Sequence, residues 1–380
     1  MKLAVCLFKF FPYGGLARDF MRIMQACLET GDHLDVYVME WQGEVPDDMH
    51  VHIIPVSGFS NHARLASYIR QVQSALHESD HDLVIGFNKI PGLDLYYAAD
   101  PCYIDRVRAN PLYGVMKYTP RVRFYSECER AVFGVESTTV SLMISDVQQA
   151  LFKQHYQTPD ARLYSLPPGI DPSRKRPGNA TEIRQQTRTK AGLKDDEWLL
   201  LMVGTGFKTK GVDRAIAALS ALPDSHRNKV KLFILGEGEP AGLLRQAKKA
   251  GVAEQIRFLG GRSDVQDFLL AADLLIHPAR KENTGTVILE AIVAGLPVLV
   301  SDVCGYAKHV LHAQAGELLE QPDNASRIAA QIAGMLATSS LKRWSEQALN
   351  YAETEDLYSM PDKAAQIIRQ MAANRLEEKT

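Results

Sequence analysis

Short, continuously apolar runs alternate with amphipathic stretches along most of the chain. In the first half LAVCLF (3–8), LDVYVM (34–39), VHIIPV (51–56), LVIGF (83–87) and VSLMIS (140–145) have the composition of strands, with helical periodicity over about 16–29 and 61–78. In the second half WLLLMVG (198–204), KLFILG (231–236), QIRFLG (255–260), DLLIHP (273–278) and LPVLVS (296–301) read as strands, separated by helical stretches near 211–219, 241–250, 264–271 and 286–294. Runs that are apolar throughout, rather than alternating, suit parallel strands covered on both faces. Strand–helix alternation at this spacing predicts an α/β fold of doubly wound sheets.

A chain of 380 residues exceeds the ~250–300 at which single cores usually split. LPPGIDPSRKRPGNAT (166–181) gathers four prolines and two glycines and is the best linker in the sequence. The expected organisation is two Rossmann-like domains facing each other across a cleft. Residues 1–168 form the first and 169–360 the second, with 361–380 a terminal helix able to pack back on the first. The tail from about 325 is polar and helical, with no motif of its own.

Composition adds exclusions. A net charge of −2 gives no reason to expect nucleic acid. Cys6, Cys27, Cys102, Cys128 and Cys304 are scattered, odd in number and free of C-x-x-C spacing, which argues for a reducing compartment and against a disulfide framework. The apolar run at 3–8 is too short for a signal peptide, and no run approaches the ~20 residues of a spanning helix. A soluble, cytoplasmic protein is expected.

The chemistry concentrates where strands end. In RKENTGTVILEAIVAG (280–295), Glu290 stands inside an apolar run and Glu282 lies eight positions earlier. The helix opening near Gly285 follows a strand, so its unsatisfied N–H groups and positive dipole end face the ligand edge of the sheet. Thr284 is the expected N-cap. A buried carboxylate needs strong donors; for Glu290 these are either the hydroxyls of a sugar diol or a buried Arg or Lys. GTGFKTKGVDR (204–214) sets Lys208 and Lys210 in a glycine-rich turn after a strand, suited to a diphosphate or simply solvated. FKFFPYGGLARDF (8–20) places Gly14, Gly15 and Asp19 after the first strand. GFNKIPGLDLYYAADPCY (86–103) carries Asn88, Lys89 and Asp100 at the ends of apolar runs, where an α/β domain faces its cleft, though Asp100 before a proline reads equally as a turn residue.

Arg106, Arg108, Lys117, Arg121, Arg123 and Arg130, interleaved with Tyr113, Tyr118, Phe124 and Tyr125, form a basic aromatic patch against Glu127 and Glu129. It is either an interfacial segment for anionic head groups or a solvated helix face. Asp80-His81-Asp82 matches the D-x-D of metal-dependent sugar transferases but precedes a strand, and reads as a polar loop. GEGEPA (236–241) matches G-x-G-x-x-A, yet no acidic residue ends the next strand, so an NAD-dependent oxidoreductase is a weak alternative.

Glu282, seven residues and then Glu290, in a glycine-initiated helix, resembles the signature of retaining family-4 glycosyltransferases of GT-B fold. FPYGGLARDFMRI, GFNKIPGLDLYYAAD, LPPGI, KGVDR, ADLLIHPA, LEAIVAGLPVL and VCGYA extend the likeness, from residue 3 to about 365, to the glucosyltransferases of the lipopolysaccharide core. The resemblance implies a metal-independent, retaining transfer of a hexose from a UDP-sugar (glucose, or a galactose or N-acetylhexosamine relative) to heptose of the inner core. No cofactor beyond the donor substrate is implied. It places Glu290 on the ribose hydroxyls, Lys210 on the diphosphate with Lys208 nearby, and Glu282 on the donor-sugar side. Backbone of Gly14, Gly15, Asn283, Thr284, Gly285 and Thr286 would line phosphates and sugar, and Asp19 and Asp100 would face the reacting centre. It also implies a peripheral position on the cytoplasmic face of the inner membrane, through 103–133. Two departures stand out: Thr209 replaces the family's Arg before the lysine, and Asn283-Thr284 replace small residues after the first glutamate. A family-4 enzyme with a different acceptor is the other alternative.

Overall fold

Each apolar run read as a strand falls in one of two wholly parallel sheets. The computed structural model describes residues 1–12, 14–336 and 338–379, and the chain divides into one unit of 1–169 with 358–380 and another of 170–357. The first unit runs β1 (Lys2–Phe10), α1 (Gly15–Leu28), β2 (His33–Trp41), β3 (Met49–Ile53), α2 (Asn61–His77), β4 (Leu83–Gly86), β5 (Leu95–Ala98), α3 (Tyr103–Arg108), α4 (Tyr113–Met116), α5 (Pro120–Phe133), β6 (Val140–Met143), α6 (Asp146–Tyr156) and β7 (Leu163–Ser165). Its sheet has the order β3-β2-β1-β4-β5-β6-β7.

Strand β1 shows why its stretch 3–8 is apolar throughout. Leu3, Val5 and Leu7 face a core built with Phe20, Ile23, Met24 and Cys27, which lie one helical turn apart on α1. Ala4 and Cys6 point the other way, into a core shared with Tyr68 and Val72 of α2 and with Val132 and Phe133 of α5. A period of two with both faces covered leaves no polar position.

The second unit runs α7 (Ala180–Lys190), β8 (Trp198–Val203), α8 (Phe207–Lys210), α9 (Val212–Ala221), α10 (Asp224–Arg227), β9 (Val230–Leu235), α11 (Ala241–Lys249), β10 (Ile256–Gly260), α12 (Val265–Ala271), β11 (Leu274–His277), α13 (Thr286–Ala294), β12 (Val298–Val300), α14 (Ala307–His312), β13 (Gly316–Leu318), α15 (Ala325–Met335) and α16 (Thr338–Thr354). Its sheet order is β10-β9-β8-β11-β12-β13. The chain then returns to the first unit, where α17 (Met360–Lys379) packs along α1 through Ala364, Ala365, Ile368 and Ala372. Both sheets reverse direction beside their first strand, between β1 and β4 and between β8 and β11. Open α/β sheets bind ligands at such switch points, beyond the carboxyl ends of the strands.

Strands β5 (Leu95–Ala98), β7 and β13 are not among the runs read as strands; β7 and β13 lie at the sheet edges. Asp80-His81-Asp82 lies at the amino edge of the first sheet. There His81 Nε2 meets Asp35 Oδ2 at 2.9 Å and Asp82 Oδ2 accepts from the Lys2 N–H at 2.7 Å. Among the described residues no helix is long and apolar enough to cross a membrane.

Candidate functional site

At the switch point of the second sheet β8 and β11 are direct neighbours, with Leu274 opposite Leu200 and Leu275 opposite Leu201. The turns that follow them are tied together. The Arg280 N–H donates to the Thr209 carbonyl at 2.8 Å, and its guanidinium donates to both Asp213 oxygens at 2.6 and 2.8 Å and to the Lys208 carbonyl at 3.1 Å. Burial would raise Asp213, but the fork of Arg280 outweighs it and the carboxyl lies below its usual range.

The lysine-bearing segment is a single helical turn, α8, rather than an open loop. Lys208 is exposed on it, while Lys210 folds back across Gly204. A Cβ at position 204 would stand 2.8 Å from Lys210 Cε, so glycine is required for that path. Lys210 Nζ forms an ion pair with Glu282 Oε2, and the buried His277, the last residue of β11, places Nε2 3.2 Å from the same oxygen. Burial alone would push Glu282 up. The hydrogen bond from His277 and the bond and charge of Lys210 prevail, and its pKa falls to about 2.

Helix α13 opens without a side-chain cap. Gly285, at φ +82°, is its N-cap residue, and Thr284 does not cap it. The left-handed turn at Gly285 moves Thr284 out of line with the first N–H groups, and its carbonyl accepts from the Tyr306 N–H at 2.8 Å. The Asn283 carbonyl accepts from the Gly305 N–H at 3.1 Å, so 283–284 are held by the loop after β12. Thr286 is the first helical residue, and the dipole's positive end faces the carboxyl edge of the sheet. In the second turn Glu290 is 8% exposed. Its one ion-pair partner among the described residues is Arg174, whose Nε stands 3.8 Å from Oε1, beyond hydrogen-bond range. Of the sequence candidates in this unit, Lys210 and Glu282 meet directly, the Asn283 N–H donates to Glu282, Thr284 and Gly285 lead into α13 at Thr286, and Glu290 is one turn further along the helix. His277 was not singled out from sequence, because a histidine ending an apolar strand looks like core.

In the first unit the candidates gather at the ends of β1, β4 and β5. Gly14 precedes α1 and Gly15, its first residue, is exposed. Tyr97 Oη donates to Asp19 Oδ2 at 2.8 Å, and Asn88 Nδ2 donates to Asp100 Oδ2 at 3.4 Å. Lys89 does not face the edge of the sheet; it turns inward to pair with the fully buried Glu129 at 2.6 Å. Burial raises Asp19 to about 6, against the opposing effects of Tyr97, Arg18 and Arg22. Between about pH 4 and 6 the folded chain therefore keeps a proton that the unfolded chain has lost, so stability falls as pH rises through that window. Asp19→Asn is expected to flatten this slope in urea unfolding, matching wild type near pH 4 and exceeding it near pH 7.

Residues 183–351 match the family of glycosyl transferases group 1. Along 369 residues the chain is 44% identical to the lipopolysaccharide glucosyltransferase WaaG of Escherichia coli K12, covering 97% of this chain and 98% of that one. The chain belongs to the group 1 glycosyltransferases. The crystal structure of WaaG, a glycosyltransferase involved in lipopolysaccharide biosynthesis, matches with TM-score 0.88 at 44% identity, over 96% of this chain and 99% of that one. Anabaena HepE, in complex with UDP and glucose, shares the fold at TM-score 0.75 and 16% identity, over 97% of this chain and 99% of that one. This is a GT-B glycosyltransferase with two Rossmann-like units. A dinucleotide fingerprint belongs after the first strand of such a unit; here GEGEPA follows β9, the second, and β8 is followed by the lysine turn. The oxidoreductase alternative falls with it.

Proposed function

We propose that the enzyme moves a hexose from a UDP-sugar to heptose of the lipopolysaccharide inner core, with retention of anomeric configuration. The observation that carries the donor assignment is the meeting of Lys210 and Glu282 beside the uncapped start of α13. Lys210 and the first N–H groups of α13 take the diphosphate, whose charge grows as the sugar departs; preorganised positive groups stabilise that charge most when water is excluded. Lys208 adds a second, exposed cation. Glu290, whose one ion-pair partner among the described residues is Arg174 at 3.8 Å, takes the two ribose hydroxyls. Glu282 faces the donor sugar, with Asn283 and Thr284 as the residues that choose it, since sugar discrimination rests on a few buried hydrogen bonds. In the first unit the backbone of Gly14 and Gly15 serves ligand phosphate, and Asp19 and Asp100 serve the acceptor.

The test is a product assay with a panel of UDP-hexoses on core oligosaccharide truncated at heptose. One UDP-hexose should add a single sugar whose anomeric configuration, read by NMR, is that of the donor. Inverted product, or no transfer from any member of the panel, would overturn the assignment.

We also infer a peripheral membrane position through 103–133. Leu112, Val115 and Tyr118 are 66, 74 and 72% exposed, and Arg106, Arg108, Lys117, Arg121, Arg123 and Arg130 are all exposed around them. Apolar tips ringed by cations fit an anionic lipid surface, at ~1 kcal/mol per cation. Arg121→Gln with Arg123→Gln should weaken co-sedimentation with anionic vesicles about thirtyfold at low salt. Unchanged partitioning would remove the segment from membrane binding.

A further inference from the structure

We propose that His277 is a positioning residue for the transfer reaction, its Nε2–H holding the Glu282 carboxylate in place once the donor diphosphate has drawn Lys210 away. This rests on the donor reading above. The ring is completely buried, and among the described residues its one hydrogen-bond contact is the Glu282 oxygen 3.2 Å from Nε2, while the buried Nδ1 has no partner there. A histidine kept only for packing has no need of a carboxylate, and an unpartnered Nδ1 suits a bare lone pair, which leaves the proton on Nε2. The backbone beneath it is rigid: His277 pairs with Val300 in the sheet, and its carbonyl accepts from the Ser301 N–H at 3.2 Å.

The three donors to Glu282 differ in what a ligand can do to them. Lys210 sits on a flexible four-carbon stem, and a diphosphate competes for its ammonium. The Asn283 N–H, 3.2 Å from Oε1, is the neighbouring backbone group and shares Glu282's own loop. Of the three, His277 is the one fixed by a strand, and its ring is buried. When Lys210 turns to the diphosphate, burial begins to favour the protonated acid, and the His277 bond is what keeps the carboxylate ionised and aimed.

His277→Gln and His277→Asn separate this from packing, because both keep an amide donor but only glutamine reaches the place of Nε2. His277→Asn should lower kcat about tenfold to a hundredfold, move the acid limb of the kcat–pH profile up by about one unit, and leave donor KM within about threefold. His277→Gln should restore kcat to within about threefold of wild type and return the acid limb. Should the asparagine variant not fold by thermal scan, the volume-matched His277→Met takes its place with the same expectation. Two variants that both match wild type, or that are impaired alike, would overturn the proposal. Wild-type enzyme inert towards every UDP-hexose would instead overturn the donor reading, and the proposal with it.

Discussion

Glu282→Gln is expected to lower kcat for hexosyl transfer by about a hundredfold to a thousandfold while leaving UDP affinity unchanged or tighter. The carboxylate is ionised at every working pH, since His277 and Lys210 hold it at about 2. Positive charge develops at the donor sugar as its bond to the diphosphate lengthens, and a fixed carboxylate at that end stabilises it. Glutamine has nearly the same shape, so the loss would report charge rather than space. UDP is the informative control. In the free enzyme Lys210 is engaged by Glu282, and freeing it should favour the diphosphate. Initial rates and calorimetric titration with UDP measure the two effects. Transfer within threefold of wild type would remove Glu282 from the chemistry, and UDP binding lost in step with transfer would move it to the diphosphate. Stability should respond as well. Because the folded pKa lies below the unfolded value, Glu282 contributes stability above about pH 4.5 that is lost as pH falls towards 2; the glutamine variant should lack that part of the acid transition.

The sheets were legible in the sequence because both faces of central strands such as β1 and β8 are buried, so the runs 3–8 and 198–204 carry no polar residue to obscure them. Strands β5, β7 and β13 were not; β7 and β13 are edge strands with few or no fully buried positions, so they leave no apolar run. Glu290 was legible for the same reason that it is chemically useful: a charged side chain among apolar ones is costly unless something answers it; Glu282 and Lys210 were legible by their place just beyond the ends of strands. His277 and Thr284 mark where one-dimensional reading stops. A histidine at a strand end gives no sign of its hydrogen bond partner, and the N-cap depends on Gly285 adopting positive φ, which a Thr-Gly pair permits but does not impose. Glu129 is a third case. In sequence it looks like a counter-charge within a basic patch, and Lys89 like a residue at the edge of the sheet; only the fold brings Glu129 of α5 against Lys89 in the segment after β4.

That pair supports the second large effect, Glu129→Ala, which should cost the first unit ~3–5 kcal/mol, the usual penalty for stripping one partner from a buried ion pair. Glu129 is 0% exposed, and every donor around it would be orphaned. Oε2 accepts from Lys89 Nζ at 2.6 Å and the Tyr103 N–H at 2.7 Å; Oε1 accepts from Tyr156 Oη at 2.8 Å and the Ile104 N–H at 3.0 Å. Two of these donors are the opening N–H groups of α3, so a carboxylate carried by α5 caps the helix that begins the 103–133 segment, at the end where its charge is favoured. Lys89, which also donates to the Pro101 carbonyl at 2.7 Å, would be left as a buried cation beside the turn that carries Asp100. For a unit of this size the loss corresponds to a fall on the order of 10 °C in its thermal transition. Adding Lys89→Met to Glu129→Ala should recover part of it, because the second change removes the stranded charge; the double variant is then more stable than the sum of the single changes. Strict additivity in calorimetry, or a Glu129→Ala transition within 2 °C of wild type on the scale of about 2–4 °C per kcal/mol, would show that Lys89 reaches solvent on its own and that α3 holds without its cap.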